Sequence, residues 1–234
     1  MVEAGGIYGL YNMTYTYEYP HPAVTTDVVI LTVLDGALKV LLIKRGMEPF
    51  KGKWALPGGF AKIDESLDTC ATRELEEEAG LKNVYLEQLY TFGSVNRDPR
   101  ERVISVAYYA LIPGKNVTLE AGTDADEVAW FAVDDLPELS FDHAEILNMA
   151  RKRLAAKMDY STVGFKLMPD EFTLSYLQDV YEKATDKPRD KRNFRKWVFS
   201  LNVIEAAGKK YSSGPHRPAM LYRVINPDDV KNIR

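Results

Sequence analysis

Gly59 and Glu65 stand with five residues between them, and seven residues further on comes the run Arg73-Glu74-Leu75-Glu76-Glu77-Glu78-Ala79-Gly80-Leu81. On a helix spanning Ser66 to Ala79, Glu74, Glu77 and Glu78 fall at i, i+3 and i+4 and share one face. Three carboxylates crowded there repel one another unless a cation joins them, and hard oxygen ligands of this kind suit Mg²⁺ or Mn²⁺. Arg73 is placed to offset part of that charge through the planar fork of its guanidinium. Gly58 and Gly59 let the backbone approach a metal or phosphate closely, and Gly80 suits the left-handed turn that ends a helix. Glu-rich runs are ordinarily solvated helix faces; the fixed offsets set this one apart.

Other elements must hold that helix in place. Val24 to Leu34 is an apolar, β-branched run ending in the turn pair Asp35-Gly36, and Leu38 to Ile43 answers it as the second strand of a hairpin. Val84 to Phe92, Val103 to Leu111 and Val128 to Val133 read as further strands, and Glu145 to Lys157 as an amphipathic helix that closes the unit. Candidate ligand groups lie between them. Arg45 follows the second strand, and Trp54 precedes Pro57-Gly58-Gly59, where it fits either the core or the flank of a ligand. Arg97, Arg100 and Arg102 crowd one polar loop. Such a run is a solvated loop or, close to a phosphate-handling helix, a set of diphosphate clamps, with Arg100 and Arg102 the candidates carried forward. Asp124 or Glu127, in an acidic loop, offers a further metal ligand or a mobile base.

The 234 residues are 46% hydrophobic and 27% charged, the balance of a soluble globular protein with room for one large or two modest domains. No apolar run approaches the roughly 20 residues that span a bilayer, and Met1 to Tyr19 lacks the pattern of a secretory signal. The single cysteine, Cys70, fits a reducing cytoplasm and reads as a packing residue rather than a nucleophile. Residues 1 to 21, rich in tyrosine, read as an arm, either flexible or packed on a partner subunit.

Charge is unevenly spread. Lys187 to Arg223 holds ten Lys or Arg against Asp190 and Glu205, a balance of +8, so with a whole-chain charge of −4 the remainder carries −12. One part carries the acidic site and the other is built to meet an anion. In that basic part Thr173 is a plausible N-cap for a helix bearing Leu174, Leu177, Val180 and Tyr181. A second helix runs from about Lys191 to Leu201, and a hairpin follows around a polar turn from Gly208 to Pro218. Two helices and a hairpin in this order suit either a small basic packing domain or a winged helix-turn-helix. In the latter the second helix enters the major groove of double-stranded DNA and the hairpin touches phosphates. Arg192, Arg195, Lys196, Lys209, Lys210 and Arg217 are the candidate DNA contacts.

From Gly59 to Leu81 the chain matches the signature of the Nudix hydrolases, and the resemblance covers about residues 22 to 158. The whole chain is similar to a narrower group, the Nudix-related transcriptional regulators of NAD metabolism and of the arabinose type. That likeness rests on Phe141-Asp142-His143, Phe172-Thr173-Leu174, Arg192-Asn193-Phe194-Arg195-Lys196 and Arg217-Pro218-Ala219-Met220-Leu221-Tyr222. It implies an α/β fold, a Nudix α/β/α sandwich with a mixed sheet, followed by a winged helix over 159–234.

The resemblance further implies a nucleoside diphosphate ligand such as ADP-ribose, cleaved by water to AMP and ribose 5-phosphate. Glu77, Glu78 and the Gly58 carbonyl are the implied ligands of Mg²⁺ or Mn²⁺, with Glu74 a further ligand or base and Glu65 supporting the cluster or Arg73. Regulators of this group often carry a degraded signature and only sense the nucleotide. Here Arg73, Glu74, Glu77 and Glu78 are all present. The expectation is therefore a hydrolase that also binds DNA, acting as a homodimer in the cytoplasm, with a catalytically silent repressor as the alternative.

Overall fold

The computed structural model describes residues 17–114, 125–211 and 218–233. Strands β1 (Ala23–Leu34) and β2 (Ala37–Arg45) form the expected hairpin. Asp35 and Gly36 at its tip both take positive φ, 52° and 73°, as a two-residue turn matched to the strand twist requires. Two short strands, β3 (Trp54–Ala55) and β4 (Gly58–Phe60), lead into helix α1 (Leu67–Ala79). Then come β5 (Tyr85–Phe92), β6 (Val103–Leu111), β7 (Ala125–Ala132) and helix α2 (His143–Tyr160).

The strands build a seven-stranded sheet in the order β3-β2-β1-β6-β5, with β4 paired to β1 and β7 to β2. β1 and β6 run parallel and the other pairs antiparallel, so the sheet is mixed. β1 is covered on both faces, which explains its continuous apolar run. Val28 and Ile30 pack with Ala71, Leu75 and Ala79 of α1, whereas Val29, Leu31 and Val33 join Ile146, Leu147, Ala150 and Leu154 of α2.

The C-terminal part begins with a 3-10 segment, Thr162–Leu167, that the sequence pattern did not announce. Helix α3 (Leu174–Thr185) is capped as expected by Thr173, whose hydroxyl accepts from Tyr176 N at 3.1 Å. Helix α4 (Lys191–Ser200) is capped by Asp190, which accepts from Asn193 N at 2.8 Å. β8 (Ile204–Tyr211) and β9 (Ala219–Val224) form the hairpin. β8 runs past the point where the polar turn was expected, because Gly208 sits in a bulge at φ 74° and lets the strand continue. Leu177, Val180, Tyr181, Phe194 and Val198 belong to the same apolar cluster as the second sheet face. The two parts therefore share one core, and the expected boundary at residue 158 lies inside α2. Among the described residues no helix is long and apolar enough to cross a membrane.

Candidate functional site

α1 is fixed at both ends. Ser66 Oγ accepts from Thr69 N at 3.1 Å, and Gly80 at φ 66° ends the helix with Gly80 N donating to Glu76 O and Leu81 N to Leu75 O. Cys70 is buried beside Thr26 (Sγ to Oγ1, 3.2 Å), and burial pushes its thiol up to about 11, so it packs and is not a nucleophile.

Arg73 is the hub of the acidic face. Its Nη2 and Nε donate to the two oxygens of Glu65 at 2.8 and 3.1 Å, while Nη1 reaches Glu74 at 2.6 Å and Glu77 at 3.0 Å. The Arg73 bond holds the Glu65 carboxyl at about 2. Burial pushes Glu74 the other way, above the usual carboxylate range, although Arg73 opposes this. Gly59 admits Glu74 here: a Cβ on Gly59 would lie 2.2 Å from its Oε1. Gly58, expected to offer its carbonyl, meets Glu78 through its N–H at 2.7 Å. Among the described residues no three acidic side chains converge on one point, because Arg73 draws Glu74 and Glu77 while Gly58 draws Glu78. In residue type the set still fits a hard divalent cation: three carboxylates on one face, with Glu74 and Glu78 buried where uncompensated charge is costly.

Beside the glycine strand lies a buried network that sequence reasoning missed. Arg97 donates to both oxygens of Asp142 (2.9 and 2.7 Å) and to Asp27 at 3.2 Å. Asp27 also takes the Ser105 hydroxyl and faces His143 Nε2 at 3.5 Å. His143 Nδ1 accepts from Leu56 N at 2.8 Å, which assigns the ring proton to Nε2, toward Asp27. Burial alone would raise the Asp27 carboxyl; His143, Ser105 and Arg97 outweigh it and hold it at about 2. The available signal was an aspartate inside an apolar run, since a charge in a strand buried on both faces demands partners.

Arg45 and Arg100 come together around Phe141. Their guanidinium carbons lie 4.9 and 5.8 Å from its ring, and Arg100 also lies 5.1 Å from the ring of Phe60 in the glycine strand. Arg45 is tied to Pro49 O at 2.8 Å, and Asp98 holds Arg100 through two bonds at 3.0 and 2.7 Å. Burial and the Arg100 charge push the Arg45 guanidinium below its ordinary value.

Arg102 and Trp54, two other expected ligand groups, are engaged elsewhere. Arg102 donates to Ser94 O and Gly93 O of its own loop. Trp54 is half-buried and packs edge-on against Phe131 at 4.7 Å, resting against the core cluster on the face away from α1. Asp124 lies outside the described residues, and Glu127 pairs with Lys44 at 3.3 Å.

At the other end, α4 buries Phe194 and Val198 and leaves Arg192, Arg195 and Lys196 exposed. Among the described residues these three form no ion pair. Lys209 and Lys210 are exposed on β8, with Lys209 paired to Glu171 at 3.0 Å; Arg217 lies outside the described residues.

The NUDIX domain model matches residues 23–150, and the NrtR DNA-binding winged helix domain model matches residues 164–224. The chain is 37% identical over 215 residues to the ADPR responsive transcriptional repressor NtrR of Acinetobacter baylyi, covering 90% of this chain and 85% of that one. It is 42% identical over 129 residues to the ADP-ribose pyrophosphatase of Methanocaldococcus jannaschii, covering 55% of this chain and 73% of that one. The crystal structure of Shewanella oneidensis NrtR complexed with a 27mer DNA superposes with a TM-score of 0.77 at 36% identity, over 88% of this chain and 94% of that one. The chain therefore belongs to the NUDIX family and, within it, to the NrtR-type regulators in which a NUDIX domain is followed by a winged helix domain.

Proposed function

We propose that this chain is a DNA-binding transcriptional regulator that responds to ADP-ribose and has kept the residues for hydrolysing it. One observation carries the reading: a complete acidic motif around Arg73 and a helix with three exposed cations, none ion-paired among the described residues, occur on a single core. The relatives support it, one being an ADPR responsive repressor and another an ADP-ribose pyrophosphatase.

In this reading Arg45 and Arg100 receive the diphosphate, and Phe60 and Phe141 back their guanidinium planes. Glu74, Glu77 and Glu78 would hold Mg²⁺ or Mn²⁺, which when bound neutralises the diphosphate and lowers the pKa of water. Where Glu74 stands off the metal instead, this buried carboxylate is the group placed to take the proton of the attacking water. Arg73 and Glu65 orient Glu74 and Glu77. Arg192, Arg195 and Lys196 on α4, with Lys209 and Lys210 on the hairpin, meet DNA. The protein acts as a homodimer, because helix-turn-helix proteins read paired half-sites.

The test is calorimetric binding of ADP-ribose to the full chain, with AMP release followed in Mg²⁺ beside Glu77→Gln. The expected result is binding by both proteins and release by the wild type alone. Binding without release favours the sensing repressor, and absence of binding sinks the ligand assignment. Full Mg²⁺-dependent turnover by Glu77→Gln would remove Glu77 from the metal set.

A further inference from the structure

Phe141, Asp142 and His143 form a knuckle where the ligand-facing arginines meet the start of α2. Phe141 has φ 52°, a left-handed conformation that is costly for a bulky side chain and persists only where surroundings enforce it. Its ring lies within 4.9 and 5.8 Å of the Arg45 and Arg100 guanidinium carbons and against Phe50 at 4.9 Å. The next residue, Asp142, occupies the N-cap position of α2 but makes no side-chain capping bond, because both its oxygens are taken by Arg97. His143 opens the helix and holds Leu56 N, two residues before Gly58. The start of α2 is thus set by groups around the ligand site instead of by its own cap.

α2 then runs unbroken for 18 residues, about 27 Å at the helical rise, with Ile146, Leu147, Ala150, Leu154 and Met158 seated in the core. At its far end Asp159 receives Lys187 Nζ at 3.0 Å and Arg189 Nη2 at 3.1 Å. These residues are the turn between α3 and α4. The Arg189 backbone is fixed from α3, its N–H to Glu182 at 2.8 Å and its carbonyl to Gln178 at 2.8 Å. Asp190, the next residue, caps α4.

We infer that α2 is the element through which ligand occupancy reaches DNA binding: the Phe141 knuckle takes up the change at Arg45 and Arg100, and the Asp159–Lys187/Arg189 contact delivers it to the base of α4. A packed helix moves as a unit, so repacking Phe141 when an anion draws the arginines off its ring shifts the α2 terminus against the turn. Asp159 is a positioning residue here, acting through Lys187 and Arg189. The inference rests on the proposed ADP-ribose site.

The experiment uses the full chain and ADP-ribose itself. Amide hydrogen exchange over 186–200 is measured with and without ADP-ribose, alongside its affinity by calorimetry, for wild type, Asp159→Lys and the charge swap Asp159→Lys with Lys187→Asp. Expected is a change in exchange of at least about fivefold in the wild type, the low end of ordinary coupling between sites. The response is lost in Asp159→Lys while ADP-ribose affinity holds, and it returns in the swap. A wild type that binds ADP-ribose without any change over 186–200 overturns the inference, as does an Asp159→Lys protein that responds like wild type. If ADP-ribose does not bind at all, the functional reading falls first and this inference with it.

Discussion

In the NUDIX half, the charged side chains face one another: Arg73 lies against Glu65, Glu74 and Glu77, and Arg97 against Asp27 and Asp142, with Asp27, Glu74 and Arg97 buried and Glu77 alone exposed. In the winged helix half, Arg192, Arg195 and Lys196 point to solvent, and α4 is held by its apolar face (Phe194, Val198 and the half-buried Trp197) and its Asp190 cap. The contrast separates two uses of charge. Buried, hydrogen-bonded charges set shape and protonation state, and removing one partner strands the other. Exposed cations add little to stability and remain available for phosphates.

The contrast is broken most severely at Arg97. Arg97→Ala leaves Asp27 and Asp142 facing each other in a buried space and is expected to cost about 3–5 kcal/mol, read as a lower midpoint in urea. Arg195→Ala is expected to change stability by less than about 0.5 kcal/mol in the same assay. Similar losses at the two sites would erase the distinction.

The next effect is that of pH. Asp27 is held at about 2 in the folded protein against 3.8 unfolded. A depressed carboxyl contributes stability above its unfolded value and loses it as pH falls through its folded one, so this share of stability disappears between about pH 4 and 2. It amounts to about 2 kcal/mol, and an Asp27→Asn protein should lack that slope in acid titrations followed by circular dichroism.

Tyr181 gives the smallest effect and tests the junction of the two halves. It is fully buried, its hydroxyl has no hydrogen-bond partner among the described residues, and its ring packs on Phe194 and Trp197. Tyr181→Phe removes an unsatisfied polar group and should raise stability by about 1 kcal/mol in urea unfolding. A loss of stability would mean that the hydroxyl is satisfied after all.

The sequence disclosed what depends on local spacing. The α1 face, its Ser66 start and Gly80 stop, the Asp35-Gly36 hairpin, the Thr173 cap and the helix-helix-hairpin order all follow from neighbours within a few residues. It did not disclose what depends on strands meeting across the sheet. Asp27, Ser105, Arg97 and His143 lie up to 116 positions apart and meet only because β1 pairs with β6 and α2 returns beside β1. For the same reason Arg100 could not be told from Arg102 in one loop, although the first lies by Phe141 and the second is tied to Gly93 and Ser94. Nor could the shared core be seen, because α3 reads as an amphipathic helix whatever surface covers its apolar face.

The decisive measurement is to select duplex DNA on the protein and titrate the recovered duplex with and without saturating ADP-ribose at two salt concentrations. The expected result is a duplex whose affinity falls steeply with salt and shifts by at least about fivefold when ADP-ribose is added. An affinity indifferent to ADP-ribose, for a protein that binds the nucleotide, would contradict it.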